Sequence, residues 1–334
     1  MVGKPSPSIK KAYRFSIAPM MDCTDKHFRV LMRQISRRAM LYTEMIVAKA
    51  LKYNKSNESL LDFDEIEHPI ALQIGGDDPK ILSEAAKLGE EWGYDEINLN
   101  VGCPSSKVKS GNFGACLMAH PEKVAECIET IKEKSNIPVT IKHRIGIDNL
   151  DSDEFLQNFV ETVARAGADR FAIHARKALL KGLNPKQNRT IPPLQYEKVA
   201  LLKKKLPDLV IELNGGIETP EECLKVLKVF DGAMVGRAAY KHPLRWKNID
   251  ELIFGEKSQE ITPSQVIRGI IPYTEKHLKQ GGRLWDIARH LINLVEGVKG
   301  SKKWRNNLSL NAQNGTSDLN ILESAAKELE DIGL

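Results

Sequence analysis

Glu96-Ile97-Asn98-Leu99-Asn100-Val101-Gly102-Cys103-Pro104 is the stretch that decides how this chain of 334 residues folds. Residues 96–100 have the pattern of a short β-strand, and side chains alternate along a strand, so Asn98 and Asn100 point to the same face. The strand runs directly into Gly-Cys-Pro, which places the Cys103 thiol in a stiff turn. Two amides that can hold a polar ring, next to a thiol that can release a proton, are typical of a catalytic site.

Short β-rich runs recur along the chain, at residues 15–19, 39–44, 70–74, 96–100, 139–143, 170–174, 210–214 and 232–236. Most are followed by a helical pattern, such as those opened by Asp78-Pro79 and by Thr219-Pro220-Glu221-Glu222, the second with capping-box spacing. Strands that alternate with helices form parallel βαβ units, and eight of them predict an α/β fold, a closed (β/α)8 TIM barrel. A doubly wound sheet is the alternative, but no Gly-x-Gly-x-x-Gly follows the first strand.

The ends of these predicted strands carry polar residues, and a TIM barrel has its active site at the carboxyl ends of its strands. The residues at these ends are Pro19-Met20, Glu44, Gln73, Asn98, Asn100, Lys142, His174, Asn214-Gly215-Gly216 and Gly236-Arg237. Packing does not explain polar residues at so many strand ends, so we expect them to surround one site.

Two glycine loops follow the seventh and eighth predicted strands, where TIM barrels often bind a phosphate. They are Asn214-Gly215-Gly216-Ile217 and Gly236-Arg237. Glycine lets backbone N–H groups approach phosphate oxygens, and Arg237 adds charge-assisted hydrogen bonds. Gly-Gly is also common in ordinary turns, but two loops at both expected positions favour a phosphorylated cofactor or substrate.

The net charge of +5 is unevenly distributed: segments 1–38, 176–205 and 257–305 carry +7, +8 and +6, and the rest of the chain is acidic. Basic segments on an acidic body suit a surface that binds a polyanion. Lysines on solvated helix faces would give the same runs, so charge alone leaves both interpretations open.

Composition excludes several protein classes. No run of eighteen apolar residues occurs, and the polar first residues do not form a signal peptide, so we expect neither a membrane span nor secretion. Five cysteines without a Cys-x-x-Cys pair indicate reduced thiols rather than disulfides or a zinc site. The prediction is a cytoplasmic protein with no metal and no obligate protein partner.

The alternation of strands and helices stops after Pro243. Residues 263–280 and 285–298 have the helical spacing of apolar residues, and 320–332 has the pattern of an acidic last helix. We therefore predict a catalytic barrel over residues 1–250 and a helical unit over 251–334, with 254–263 as the linker.

Several ordered motifs resemble those of the tRNA-dihydrouridine synthases. They are Pro19-Met20-Met21-Asp22, the turn at 100–104, and residues 142–148, 174–177, 181–189 and 214–216. The block over 174–189 is similar to the A-type branch in particular. The resemblance covers residues 17–246, recurs weakly at 300–308, and implies reduction of uridines 20 and 20a in the tRNA D-loop.

The resemblance implies FMN as the bound cofactor and NADPH as the reductant. It places FMN against Pro19, Met20, Met21, Gln73, Lys142 and His174, with its phosphate on the loops of Asn214, Gly215, Gly216, Gly236 and Arg237. Lys142 suits this role because a lysine inside a barrel is costly unless it faces a negative charge. A lone histidine is more often a core residue, but the strand-end position of His174 favours the site.

Cys103 is the candidate general acid for this chemistry. Reduction of the C5=C6 bond of uracil requires a hydride at C6 and a proton at C5. A free cysteine thiol has a pKa of about 8.5, so it is protonated at neutral pH yet able to transfer the proton. Asn98 and Asn100 would hold the flavin edge and the uracil amide, and Arg144 could assist. Three of the other thiols, those of Cys116, Cys127 and Cys223, are interpreted as inert.

A uridine of the tRNA elbow must leave its stack to enter the barrel, at a cost that contacts to the RNA backbone must offset. The resemblance assigns such contacts to Lys186, Arg189, Lys302 and Arg305. The family more often has arginine in place of Lys302 and tryptophan in place of Cys23. Lysine keeps the charge but loses the planar fork for bidentate binding.

Two other functions are compatible with parts of this pattern. A flavin oxidoreductase of free pyrimidines would share the barrel, FMN and a cysteine beside asparagines, but it needs neither basic segment 176–205 nor a basic tail. A non-catalytic RNA-binding barrel would not need Cys103, Lys142 or the phosphate loops.

Overall fold

The computed structural model describes residues 11–54, 56–257, 260–314 and 318–334. Within them, eight parallel strands form a barrel, which confirms the predicted fold. They are β1 Phe15–Ile17, β2 Leu41–Tyr42, β3 Ile70–Gly75, β4 Glu96–Val101, β5 Val139–Arg144, β6 Arg170–His174, β7 Ile211–Asn214 and β8 Gly232–Val235. Each overlaps one of the eight predicted runs.

The barrel closes between β1 and β2. The strands pair in the order β1, β8, β7, β6, β5, β4, β3, β2, and a parallel bridge between Ser16 and Met40 completes the ring. The Ile17 amide donates to the Met40 carbonyl at 2.9 Å, and the Met40 amide donates to the Phe15 carbonyl at 3.0 Å. A two-residue strand that the sequence did not predict, Ile46–Val47, also pairs with β3. Because every pairing is parallel, the carboxyl ends of all barrel strands meet at one mouth.

Helices follow most of the strands. In the described residues they are α1 Lys26–Ile35, α2 Ala48–Tyr53, α3 Glu58–Leu61, α4 Pro79–Glu91, α5 Ser106–Ser110, α6 Pro121–Lys134, α7 Asp153–Arg165, α8 Tyr196–Lys205, α9 Pro220–Val226, α10 Arg237–Lys241, α11 Ile249–Phe254, α12 Pro263–Lys279, α13 Leu284–Leu291, α14 Ser301–Gln313 and α15 Asn320–Glu330. No helix formed by these residues is long and apolar enough to cross a membrane.

Two predicted helix starts are confirmed by their caps. The Asp78 carboxylate accepts the Ile81 N–H at 3.1 Å at the start of α4. The Thr219 hydroxyl accepts the Glu222 N–H at 3.3 Å at the start of α9. The reciprocal bond of a capping box is not made there, because the Glu222 carboxylate accepts the Glu218 N–H at 2.6 Å instead.

The helices after the barrel pack on its first helix. α12 and α13 lie against α1, and α15 lies against α12. One hydrophobic cluster includes Phe28 of α1, Trp246, and residues of the last four helices. The predicted helices at 263–280 and 320–332 correspond to α12 and α15, whereas α13 ends well before the predicted residue 298. The sequence did not predict α14, whose asparagines interrupt its apolar spacing. The division at residue 250 stays a prediction.

Candidate active site

A cavity of about 950 Å³ opens at the carboxyl ends of the barrel strands. Its lining includes most of the residues that the sequence singled out. They are Pro19, Met20, Met21, Gln73, Asn100, Cys103, Lys142, His174, Arg189, Asn214, Gly215, Gly216, Gly236 and Arg237. The volume is that of a pocket for a cofactor-sized ligand, about 300–1,000 Å³.

Gly215 and Gly216 form bare backbone at one end of the cavity. Their φ angles of +111° and +73° lie in the left-handed region that favours glycine. A Cβ on Gly215 would lie 2.5 Å from Cδ2 of His174, and one on Gly216 would lie 2.5 Å from Cδ1 of Leu194. Arg237 is exposed beside this backbone, with Nη2 3.4 Å from the Arg189 carbonyl. Backbone without side chains, next to a guanidinium, can hold a phosphate.

Lys142 lies half-buried next to the glycine loop after β7. Its Nζ donates to Oδ1 of Asn214 at 3.1 Å, and the Asn214 amide group donates to the Met234 carbonyl at 2.8 Å. Burial, reinforced by Arg144, lowers the pKa of Lys142 to about 8. Burial also lowers the pKa of His174 well below its usual value, and Arg144 and Lys142 add to that shift. An anionic ligand in the cavity would oppose both shifts.

Cys103 lies in a turn that the Asn100 side chain holds. Oδ1 of Asn100 accepts the N–H of Gly102 at 3.1 Å and the N–H of Cys103 at 3.0 Å. Nδ2 of Asn100 donates to Oε1 of Gln73 at 2.8 Å. Asn98 shares this strand face but lies one layer deeper, fully buried beneath Gln73, and does not line the cavity. Asn98 therefore reaches a ligand only through Gln73.

Arg144 is a lining residue whose partners the sequence left open. Its Nε donates to the Gly102 carbonyl at 2.9 Å, and Nη1 donates to the carbonyls of Lys177 and Asn188, each at 3.1 Å. Burial lowers the pKa of Arg144 to about 10, so it remains charged at neutral pH. One guanidinium thus joins the Cys103 turn to the segment that follows β6.

The mouth of the cavity carries further basic side chains for which the sequence predicted no individual role. They are Arg176, Lys241, His242 and Arg245. Arg176 belongs to the motif at 174–177 and to basic segment 176–205, whereas the only signal of the other three was their position within ten residues after β8. A cationic rim around a cavity attracts a polyanion to its mouth.

The model of the family described as dihydrouridine synthase matches residues 16–330. The chain belongs to the dihydrouridine synthase family.

Three relatives carry the name tRNA-dihydrouridine(20/20a) synthase. The protein of Synechocystis sp. is 51% identical over 314 residues, which are 94% of this chain and 91% of the relative. That of Escherichia coli O6:H1 is 48% identical over 98% of both chains. That of Shewanella oneidensis is 47% identical over 95% of this chain and 94% of the relative.

The residues that the family resemblance assigned to tRNA binding lie in two different places. Arg189 lines the cavity, and Lys186 is exposed three residues earlier in the same loop. Lys302 is exposed and Arg305 half-buried on α14, and neither lines the cavity. The structure therefore provides two basic surfaces, one at the cavity and one on the appended helices.

The thiols other than Cys103 differ in their surroundings. Cys23 is half-buried after β1, and its amide donates to Oε1 of Glu44 at 3.1 Å. Burial raises the pKa of its thiol. Cys127 and Cys223 are buried in helices, which also raises their pKa, and Cys116 donates to the Phe113 carbonyl at 3.0 Å. No group of potential metal ligands is found in the part of the chain that the structure describes.

Proposed function

We propose that this chain reduces the C5=C6 bond of uridines 20 and 20a in the D-loop of tRNA, with FMN as cofactor and NADPH as reductant. The observation that carries the proposal is a single cavity in which Cys103, Asn100 and Lys142 lie beside two glycine loops. Relatives named tRNA-dihydrouridine(20/20a) synthase, similar over at least 94% of this chain, support the choice of substrate. The enzyme would act in the cytoplasm, where tRNA is found.

FMN fits the residues that line the cavity. Gly215 and Gly216 line the cavity with backbone that carries no side chain, so their N–H groups would reach a phosphate, and Arg237 would neutralise it. Gly236 would add a third backbone contact. Gln73 and Lys142 offer an amide and an ammonium group for the polar edge of the ring. When bound, FMN supplies the hydride that C6 of uracil receives.

The remaining cofactor contacts would come from β1 and β6. Pro19, Met20 and Met21 line the cavity after β1, where their backbone would cover the ring. His174 would lie toward the phosphate, next to Gly215. Burial and the neighbouring cations lower its pKa and a phosphate would oppose that shift, but the imidazole can donate a hydrogen bond to the phosphate in either protonation state.

Cys103 would donate the proton that C5 of uracil requires. Its S–H bond breaks and the C5–H bond forms as the hydride reaches C6, which leaves dihydrouracil and a thiolate. Lys142 and Arg144 lie close enough to the sulfur for its charge to influence their pKa, so two cations would face the thiolate. The thiolate would then regain a proton from water at the open mouth.

Recognition of tRNA would use the cations around and beyond the cavity. A uridine turned out of the D-loop would enter past Arg189, while Lys186 contacts the neighbouring backbone. Lys302 and Arg305 on α14 would hold a second part of the elbow. A free pyrimidine would need neither contact.

The test is the reaction itself. The purified protein, supplied with NADPH and an unmodified tRNA transcript, should form dihydrouridine at positions 20 and 20a, as located by mass spectrometry of nuclease fragments. Reduction of free uracil with no reduction of tRNA would instead identify a pyrimidine oxidoreductase. Binding of tRNA by a colourless protein without any reduction would identify an RNA-binding barrel.

A further inference from the structure

Side chains beneath the cavity floor form a continuous chain of hydrogen bonds, which we call the amide chain. From the barrel interior toward the mouth, the donors and acceptors are Thr140 Oγ1 to Glu96 Oε1 (2.6 Å), Asn98 Nδ2 to Thr140 Oγ1 (2.8 Å), Gln73 Nε2 to Asn98 Oδ1 (2.7 Å) and Asn100 Nδ2 to Gln73 Oε1 (2.8 Å). The chain ends where Oδ1 of Asn100 accepts the backbone N–H groups of the Cys103 turn. In every one of these bonds the donor lies nearer the mouth and the acceptor nearer the interior.

Glu96 imposes this direction at the inner end. Both carboxylate oxygens of Glu96 accept from Nη2 of Arg170 at 2.7 Å, and Oε1 also accepts from the Tyr42 hydroxyl at 3.1 Å. A carboxylate paired with a guanidinium only accepts hydrogen bonds. The Thr140 hydroxyl must therefore donate to Glu96, which leaves its oxygen to accept from Asn98. Each later amide then has one allowed orientation.

The backbone imposes the same direction at the outer end. The N–H groups of Gly102 and Cys103 are donors only, so Asn100 must turn its oxygen toward them. Glu96, Thr140, Asn98 and Gln73 are each at most 3% exposed, so water does not replace a lost partner there. Reversal of any amide would place two donors or two acceptors face to face, which is costly when they are buried.

The direction of the chain also decides what Asn100 offers to a ligand. Both acceptor positions of its oxygen are used by the N–H groups of Gly102 and Cys103. One N–H of Nδ2 is used by Gln73, which leaves the second N–H for the cavity. Asn100 therefore acts toward a ligand as a donor.

We propose that Glu96 and Thr140 are positioning residues for the Cys103 turn, acting through the amide chain. Neither residue lines the cavity, so neither touches a ligand directly. The proposal rests on the proposed function, because it takes Cys103 as the proton donor to C5. Loss of the Thr140 hydroxyl would leave Nδ2 of Asn98 without its acceptor and would detach the chain from Glu96, so Asn98, Gln73 and Asn100 would lose the inner anchor that holds them beneath the Cys103 turn.

The test compares two substitutions of Thr140. Thr140→Val keeps the branched shape and removes the hydroxyl, whereas Thr140→Ser keeps the hydroxyl and removes a methyl group. Measured per bound flavin, Thr140→Val should slow single-turnover reduction of tRNA by about ten- to hundredfold, the loss typical of a misplaced reacting group. The KM for tRNA should stay within about twofold of the wild-type value, because the rim cations hold the RNA. Thr140→Ser should retain most of the wild-type rate.

Three results would overturn the proposal. The first is a wild-type rate of tRNA reduction in Thr140→Val. The second is an equal fall of that rate in Thr140→Val and Thr140→Ser. The third is a fall in the rate of flavin reduction by NADPH as large as the fall in the rate of tRNA reduction. The last two would indicate a loosened barrel. If Thr140→Val does not accumulate as a folded flavoprotein, Thr140→Cys replaces it, since sulfur is a weak donor and acceptor, and a smaller loss is expected. A wild-type protein that forms no dihydrouridine would contradict the proposed function itself, which distinguishes the two failures.

Discussion

Arg144 donates a hydrogen bond from Nε to the carbonyl oxygen of Gly102 at 2.9 Å, directly before Cys103. The same guanidinium holds the carbonyls of Lys177 and Asn188. The proposed proton donor and the loop of Lys186 and Arg189 are therefore attached to one buried cation.

Because Arg144 holds both segments, its substitution should affect both the affinity for tRNA and the rate of tRNA reduction. Arg144→Lys keeps the charge but loses the planar fork that reaches three carbonyls. The tRNA affinity and the rate of tRNA reduction should each fall by about tenfold, or ~1.4 kcal/mol, in binding and single-turnover assays. A slower rate with unchanged affinity would show that Arg144 does not hold the loop.

Flavin retention should depend on Arg237. The purified protein should be yellow, with FMN as the flavin that acid releases from it. Arg237→Ala removes a charged partner of the phosphate and should weaken FMN binding by roughly 1.5–3 kcal/mol in a titration of the flavin-free protein. Lys228→Ala, an exposed cation that does not line the cavity, should bind FMN like the wild type. Release of FAD, or of no flavin, would contradict the cofactor assignment.

Cys103→Ala should separate the two half-reactions. A general acid contributes about a hundredfold to ten-thousandfold, so reduction of tRNA should slow by that factor while NADPH reduces the flavin at a near-normal rate. Stopped-flow absorbance of the flavin measures both steps. Cys116→Ser, in the segment that follows Cys103, is the matched control and should reduce tRNA normally. Wild-type turnover by Cys103→Ala would mean that another group supplies the proton.

The basic surface of α14 should contribute to RNA binding. Neutralising Lys302 and Arg305 together should weaken tRNA affinity and reduce the slope of log affinity against log salt by up to roughly two units. Reduction of the flavin by NADPH needs only the barrel mouth and should not change. Neutralising Lys80 and Lys87 on α4 is the control, since neither lines the cavity. An unchanged slope in the α14 variant would exclude this surface from RNA binding.

The pH dependence of stability should reveal the burial of Lys142. Its pKa is about 8 in the folded flavin-free protein and 10.5 ordinarily, so between these values the unfolded chain binds a proton that the folded protein lacks. Raising the pH through this window should therefore stabilise the wild type relative to Lys142→Met, by up to about 3 kcal/mol. Urea unfolding of both proteins across the window measures the difference. A difference that does not change with pH would contradict a lowered pKa.

The strands and the location of the site could be predicted because both depend on short-range patterns. Each strand is a β-rich run, all of them except β1 end at or directly before a polar residue or glycine, and parallel closure brings those ends to one mouth. The rim cations Lys241 and Arg245 could not be predicted, since their place depends on the path of the chain after β8. Helix α14 could not be predicted because packing against α13 and α15, and not its own pattern, supports it.

The sequence by itself determined the barrel, the glycine loops and the cysteine turn. Asn98 and Asn100 have the same strand pattern, and only the tertiary structure decided which of them meets a ligand. Asn100 lines the cavity, whereas Asn98 lies beneath it. The tertiary structure also decided the direction of the amide chain, which follows from the pairing of Glu96 with Arg170, 74 residues later. Local patterns determine which face of a strand a side chain occupies. Which partner it meets there, and which of the two donates, depends on contacts between residues far apart in the chain.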